Sequence, residues 1–460
     1  MAGIGFELRK LLNHGTFVSV LQAYGVAGII SSGPWIISIL GIFAIGVMAG
    51  TAGGDLSWTF TDEFQVSVTY LMAVSLIVTG PLQFLLARFV SDRHYEKRDD
   101  LILPNLFGAI ALVTLVGGTL AAVVLSYFFS ASLLYRVMML TGFVLLCNIW
   151  LVVVLLSAAK AWKLILSAFV AAYGITVSVA MSMRNYGPEG LLFGFVAGNS
   201  VLLFSLLALV ARTYPAKQLL AFGFLRRNQV FVSLAFTGFF YSFAIWADKF
   251  IFWFNPMTGE TVIPPLRSSP IYDLPIFLAY LSIVPGMAVF LIRIETDFAV
   301  HCERFYTGVI RGATLEQLQN IKTDMVASVR QGIYDIFKVQ GMTVITLIAF
   351  GPQLLAWVGI PPLYRILLNV DLVGVGVQML LLAILNVLFY LDKRRVALLL
   401  TAFYALSNIC LTALTLIIGP AAYGYGFAAS GALTAIAGLI RLSRKLEHLE
   451  YETFVLQRLA

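Results

Sequence analysis

Two charges of opposite sign stand side by side inside an apolar run at Asp248-Lys249, with Trp246 and Trp253 nearby. A charge in hydrocarbon is costly unless it pairs or reaches water. Adjacent helix residues point about 100° apart, so the two cannot both face lipid comfortably. Two readings stand. The pair snorkels beside an outer aromatic belt, or it walls an outer cavity with one partner on an opposite bundle. Arg136 and Arg365, in "LYRVMML" and "LYRILLN", open two other apolar runs and carry the same ambiguity. Asp371, Gln378 and Asn386 recur at spacings of seven and eight residues. That places them near one helix face, where polar atoms can line a wet path. Gln83, Asn148 and Asn199 are further polar candidates.

This is the chemistry of passage, not of bond-making. The sequence has no Walker A, dinucleotide fingerprint, HExxH or GxSxG motif. Its four histidines lie far apart, without metal-ligand spacing. Its three cysteines are scattered and suggest no disulfide framework. The expectation is no enzyme activity, no cofactor and no metal. The first apolar run holds Gln22, Ser31 and Ser32 but no carboxylate. A cation-driven antiporter needs a buried acid for its driving ion. Simple multidrug antiport is therefore disfavoured, with Asp248 and Asp371 as the remaining acids.

The elements that hold these residues follow from composition. The chain is 60% hydrophobic and 12% charged over 460 residues, with mean hydropathy +0.92. A globule in water must cover itself with polar groups, so most of this surface belongs in lipid. Backbone groups in hydrocarbon must pair internally, which leaves helices or closed barrels. Runs of roughly 20 residues choose helices. The expected fold is all-α, with about twelve spans at 16–49, 64–90, 101–129, 133–157, 162–183, 190–210, 230–254, 271–294, 337–358, 363–390, 396–418 and 423–441. The first run is too long for a signal-peptide core, so an uncleaved span is expected.

With these spans, 25 of the 30 Lys and Arg fall on one side, including Arg9, Lys10, Lys160, Arg227 and Arg458. Only Arg136, Arg184, Lys249, Arg267 and Arg365 fall on the other. The basic side, with both termini, is expected to be cytoplasmic. The far side carries eight acids to those five bases. They are read either as loop solvation or as a guide for a cationic substrate.

One phrase is written twice. "GPLQFLLARFVSD" ends one span and "PGMAVFLIRIETD" another, each with an arginine four residues before an aspartate. The LYR pair and the weaker pair "YGPEGLLFG" and "YGYGFAASG" follow in the same order, at separations of 205, 229 and 236 residues (88 to 293, 136 to 365, 190 to 426). A long polar segment at 295–335 accounts for most of the drift. The pattern implies duplicated six-span lobes in parallel orientation, an architecture of transporters. The expected division is a lobe at 1–213, a linker at 214–229, a lobe at 230–443 with a cytoplasmic helical insert at 295–335, and a tail at 444–460. Gly33-Pro34, Gly80-Pro81 and Pro285-Gly286 interrupt spans and are read as packing kinks or as hinges. In the insert, Leu315, Leu318, Ile321, Met325 and Val329 form a helical stripe behind a Thr314/Gln317 capping box. The stripe lies on headgroups or docks a cytoplasmic partner.

"MAGIGFELRKLL" at 1–12, "GIISSGPW" at 28–35 and the duplicated layout with "YGPEG" before span six resemble the Pel exopolysaccharide transporter (PelG) family, within the multidrug/oligosaccharidyl-lipid/polysaccharide (MOP) exporter superfamily. The resemblance implies a bacterial inner-membrane exporter of a cationic amino-sugar polymer or its precursor, by a path between the lobes. It implies a cytoplasmic glycosyltransferase partner and membrane subunits of a Pel synthase complex, including a cyclic-di-GMP receptor. It carries over no binding residue. A small-molecule or cation-coupled antiporter and a glycosyltransferase scaffold remain alternatives.

Overall fold

The computed structural model describes residues 17–51, 55–156, 162–226, 231–359 and 361–455. The signature at 1–12, with Arg9, Lys10, Lys160, Arg227 and Arg458, lies outside them. In order the helices are α1 (Phe17–Thr51), α2 (Asp55–Tyr95), α3 (Ile102–Leu112), α4 (Gly118–Phe128), α5 (Leu133–Leu156), α6 (Trp162–Ser182), α7 (Pro188–Thr213) and α8 (Val232–Phe254). A short hairpin, β1 (Glu260–Ile263) and β2 (Leu266–Ser268), follows. Then come α9 (Pro270–Leu281), α10 (Val284–Ile292), α11 (Ala299–Arg311), α12 (Leu315–Ala349), α13 (Gly351–Val358), α14 (Arg365–Tyr390), α15 (Arg394–Ile418), α16 (Tyr425–Glu447) and α17 (Leu449–Phe454).

Among the described residues, ten helices are long and apolar enough to span a membrane, and the bent pair within α1 makes eleven. The remaining member of the expected twelve is α8. It has the length, but its aromatic residues and Asp248-Lys249 dilute its hydropathy. Large apolar side chains such as Leu120, Phe204, Leu399 and Ile417 are exposed, as a lipid-facing surface requires. The all-α helical class holds, with the two-stranded hairpin as its one addition among the described residues.

The chain forms two compact units. Among the described residues, one runs from Gly33 to Pro270; the other joins residues 17–32 to residues 271–455. Helix α8, placed by sequence at the start of the second lobe, therefore packs in the first unit. The physical reason is a close crossing with α2. A Cβ on Gly238 would lie 2.2 Å from the Gly80 carbonyl oxygen, and one on Gly80 would lie 2.7 Å from the Gly238 oxygen. Small residues let backbones meet where no water drives association. The Tyr70 ring stacks on Trp253 at 4.7 Å, and its hydroxyl donates to the Arg267 carbonyl at 2.9 Å, tying the hairpin to α2. Gly80-Pro81 is thus a packing crossing, and α2 runs through it unbroken.

The insert is not a separate body. Helices α10 and α11 continue one another through a π-turn at Arg293–Phe298, and α12 carries the stripe and the next span in one rod. The two rods meet at Gly312, in the left-handed region at φ +72°, and the Thr314–Gln317 capping box forms. Leu318, Met325 and Val329 are buried within the chain, whereas Leu315 is exposed and Ile321 half-buried. The stripe packs on its own hairpin, with Leu318 and Ile321 against Gly308. Three of the five residues expected to dock a partner are therefore already covered.

The tail closes over this end of the second unit. Glu452 lies 2.6 Å from the Lys393 ammonium and also pairs with Lys445. Glu450 pairs with Lys322, and Leu449 is fully buried. Burial pushes the Glu452 carboxyl up, but hydrogen bonds from Lys393 and Lys445 outweigh it and hold the group below the usual carboxylate range.

Two outcomes follow. Gly238→Ala lowers the stability of the purified protein by about 1–3 kcal/mol in thermal unfolding, while Gly174→Ala, with open space around it, leaves it unchanged or slightly raised. The depressed Glu452 pKa contributes stability that is present above the ordinary carboxylate value of 4.5 and lost as pH falls through the folded value. The melting temperatures of the natural protein and Glu452→Gln should therefore converge in acid and separate near neutrality.

Candidate transport-path residues

In the first unit, α8 holds Asp248 and Lys249 at 0% and 5% exposure. The Lys249 ammonium sits 3.1 Å from Asp248 Oδ2 and donates to the Ile245 carbonyl at 3.0 Å. It lies 5.8 Å from the Trp246 ring centroid. Trp246, Phe250 and Trp253 of α8 form an aromatic wall with Tyr70 of α2. Lys249 does not snorkel, and the two neighbours pair with each other. The lysine stem curls back to meet the preceding carboxylate.

In the second unit, α14 carries the polar face. Asp371 is fully buried and Gln378 nearly so. Gln378 Oε1 accepts from the Tyr280 hydroxyl of α9 at 3.0 Å. Asn386 is half-buried, and the Tyr390 hydroxyl of the same helix donates to Glu295 Oε2 at 2.9 Å. Gln378 and Tyr390 thus tie α14 to the broken span of α9 and α10. Asp371 lies under Gly424, where a Cβ would come within 2.9 Å of Oδ1. Gln83 donates to the Thr79 hydroxyl one turn earlier at 2.9 Å.

The duplicated phrases reappear as geometry. Arg88 pairs with Asp92 at 3.0 Å and Arg293 with Asp297 at 3.2 Å, the same ion pair four residues apart. Arg293 adds Asp335 of α12 at 2.7 Å. Tyr186-Gly187 and Tyr423-Gly424 each place a glycine at positive φ, +69° and +82°, just before a helix. The LYR echo does not share an environment. Arg136 is half-buried and Arg365 exposed.

The breaks also part company. The span at Pro285-Gly286 is interrupted, with a turn at Ser282 and Ile283 between α9 and α10. Gln340 of α12, 3% exposed, donates its amide to the freed Ser282 carbonyl at 3.2 Å. Gly286 makes room, since a Cβ there would lie 2.4 Å from Gln340 Oε1. Sequence reasoning missed Gln340, Tyr280 and the Glu295–Tyr390 pair. A glutamine within an apolar run was the available signal for the first; nothing local marks its partner. At Gly33-Pro34, α1 divides into Gln22–Pro34 and Ile36–Ala49.

Breaking a buried ion pair strands a charge and costs about 3–5 kcal/mol. Asp248→Ala and Lys249→Ala should each cause a loss of that size in thermal unfolding. The double variant Asp248→Leu/Lys249→Met should lose clearly less than the two combined, because no charge remains uncompensated.

The sequence matches the PelG family, described as an exopolysaccharide exporter (EPS-E), over residues 1–454. No curated protein sequence matches the chain. Among solved structures, the fold is similar to a MOP superfamily transporter from Pyrococcus furiosus at 14% identity, with 92% of this chain and 96% of that one covered and a TM-score of 0.62. It is similar to the Vibrio cholerae MATE transporter VcmN in its bent form at 13% identity, 96% and 98% coverage and TM-score 0.62. An outward-facing multidrug resistance MATE transporter gives 14%, 92% and 96%, and 0.59. At such identities the likeness speaks for the fold alone. Long apolar helices in a MOP transporter fold, together with a family match along nearly the whole sequence, place this multi-pass membrane protein in the PelG family of exopolysaccharide exporters.

Proposed function

We propose that this chain exports the Pel exopolysaccharide, a cationic amino-sugar polymer, or its precursor across the bacterial inner membrane, with both termini in the cytoplasm. The family match over residues 1–454 carries the reading. The one-sided excess of Lys and Arg supports the orientation. A cytoplasmic glycosyltransferase delivers the chain, and membrane subunits of the synthase, including a cyclic-di-GMP receptor, accompany it. Asp248, Lys249, Asp371 and Gln378 are the proposed polar contacts or gates of the path; their burial within long apolar helices supports this. Pro285-Gly286 is the proposed hinge, and the interruption between α9 and α10 supports it. The similar solved structures include multidrug transporters, and the buried acids Asp248 and Asp371 favour cation-coupled antiport as the second reading.

The test is reconstitution in inverted vesicles with the partner glycosyltransferase and its sugar nucleotide. Export is expected to place polymer inside, protected from an added glycosidase. Polymer that stays outside overturns the reading. A scaffold role appears as loss of synthesis, not of protection, when the chain is omitted. Gradient-dependent uptake of a small cation, abolished by Asp371→Asn, would favour the antiporter.

A further inference from the structure

The segment between α7 and α8 is strapped to the first unit. Ala221 N–H donates to the Pro104 carbonyl at 3.0 Å. Phe224 N–H donates to Asn105 Oδ1 at 3.3 Å, and Asn105 is itself held by the Leu101 carbonyl at 2.8 Å. Phe224 is 1% exposed. The strap presses so close to α3 that a Cβ on Gly108 would lie 2.1 Å from the Ala221 carbonyl oxygen. Between strap, α3 and the end of α2 lies a cavity of about 450 Å³, within the range of small-molecule sites.

Among the described residues its ionisable lining is Arg93, Arg98 and Arg226, with no carboxylate. These guanidiniums are not needed to finish α2. The terminal carbonyls of that helix are already taken by the backbone N–H groups of Glu96, Lys97 and Arg98. Two nearby acids are engaged: Glu96 holds one nitrogen of Arg93 at 2.9 Å, and Asp99 is held by His94 at 3.0 Å. Arg93 is 9% exposed and stands 5.2 Å from the Phe89 ring centroid. Its Nε is buried and has no hydrogen-bond partner among the described residues. Three guanidiniums gathered at one cavity call for an anionic acceptor. Guanidinium forks match phosphate oxygens in shape and charge. Phe89, Leu101, Leu220 and Phe222 provide an apolar side for whatever the phosphate carries.

We propose that this cavity is a binding site for a phosphate-bearing anion. The ligand places its phosphate on Arg93, Arg98 and Arg226 and rests its attached group on the strap. The phosphate comes either from a soluble phosphorylated molecule or from an anionic lipid headgroup. The site is independent of the transport reading, because it lies wholly within the first unit and its test needs no transport.

The full chain is purified in detergent and titrated calorimetrically with inorganic pyrophosphate for the soluble source. For the lipid source it is placed in nanodiscs of phosphatidylglycerol or phosphatidylcholine, and retained lipid is counted by native mass spectrometry. Binding is expected in one arm. It should weaken about tenfold or more, the scale of one lost charge-assisted hydrogen bond, in Arg98→Ala/Arg226→Ala. Both of those arginines are exposed, so the fold is retained. Arg93→Lys, which keeps the charge but loses the fork, should weaken binding too. Arg304→Ala/Arg311→Ala, in the second unit, should leave it unchanged. No binding in either arm, or binding indifferent to the three arginines, overturns the proposal.

Discussion

A carbonyl that loses its helical partner in hydrocarbon has no water to turn to. That constraint orders the rest of this molecule. Where the chain breaks a helix at Pro285, a glutamine from α12 reaches across to the Ser282 oxygen. Glycine at the next position leaves space for it. Where it does not break, at Gly80-Pro81, glycine instead lets α8 cross α2 at backbone distance. The same dipeptide chemistry thus does two different jobs. The neighbouring helix decides which.

Charge obeys the same constraint. Lys249 bends to its own neighbour instead of seeking the surface. Its ammonium also takes a helix carbonyl. Outside the apolar zone, charges serve as fasteners. Arg293 links α10 to α12 through Asp335, and Glu452 is held between Lys393 and Lys445. The polar segment between spans eight and nine becomes two helical rods extended beyond the apolar stretch, joined at Gly312. Its apolar stripe is consumed in holding them together.

The duplication is visible at the level of interactions. An arginine reaches the aspartate four residues on in both halves. A glycine in the left-handed region starts a helix in both. Matched sequence survives where a local rule needs it, an i,i+4 pair or a backbone angle only glycine accepts easily. It fails where the environment is long-range. Arg136 and Arg365 occupy matched places in sequence but differ in exposure.

What could be read from the chain alone was whatever rests on composition and local geometry. The membrane class, nearly all the spans, the capping box at Thr314 and the repeated arginine–aspartate pairs all come from runs and spacings within a few turns. The family was legible too, from short motifs set in that layout. The assignment of α8 to the first unit, the self-pairing of Asp248 and Lys249, the burial of Leu318, Met325 and Val329, and the reach of Gln340 to Ser282 were not legible. Each depends on which helix lies alongside, and a helix face looks the same in sequence whether it meets lipid, solvent or its own chain. Periodicity names the face; only packing in three dimensions names what covers it.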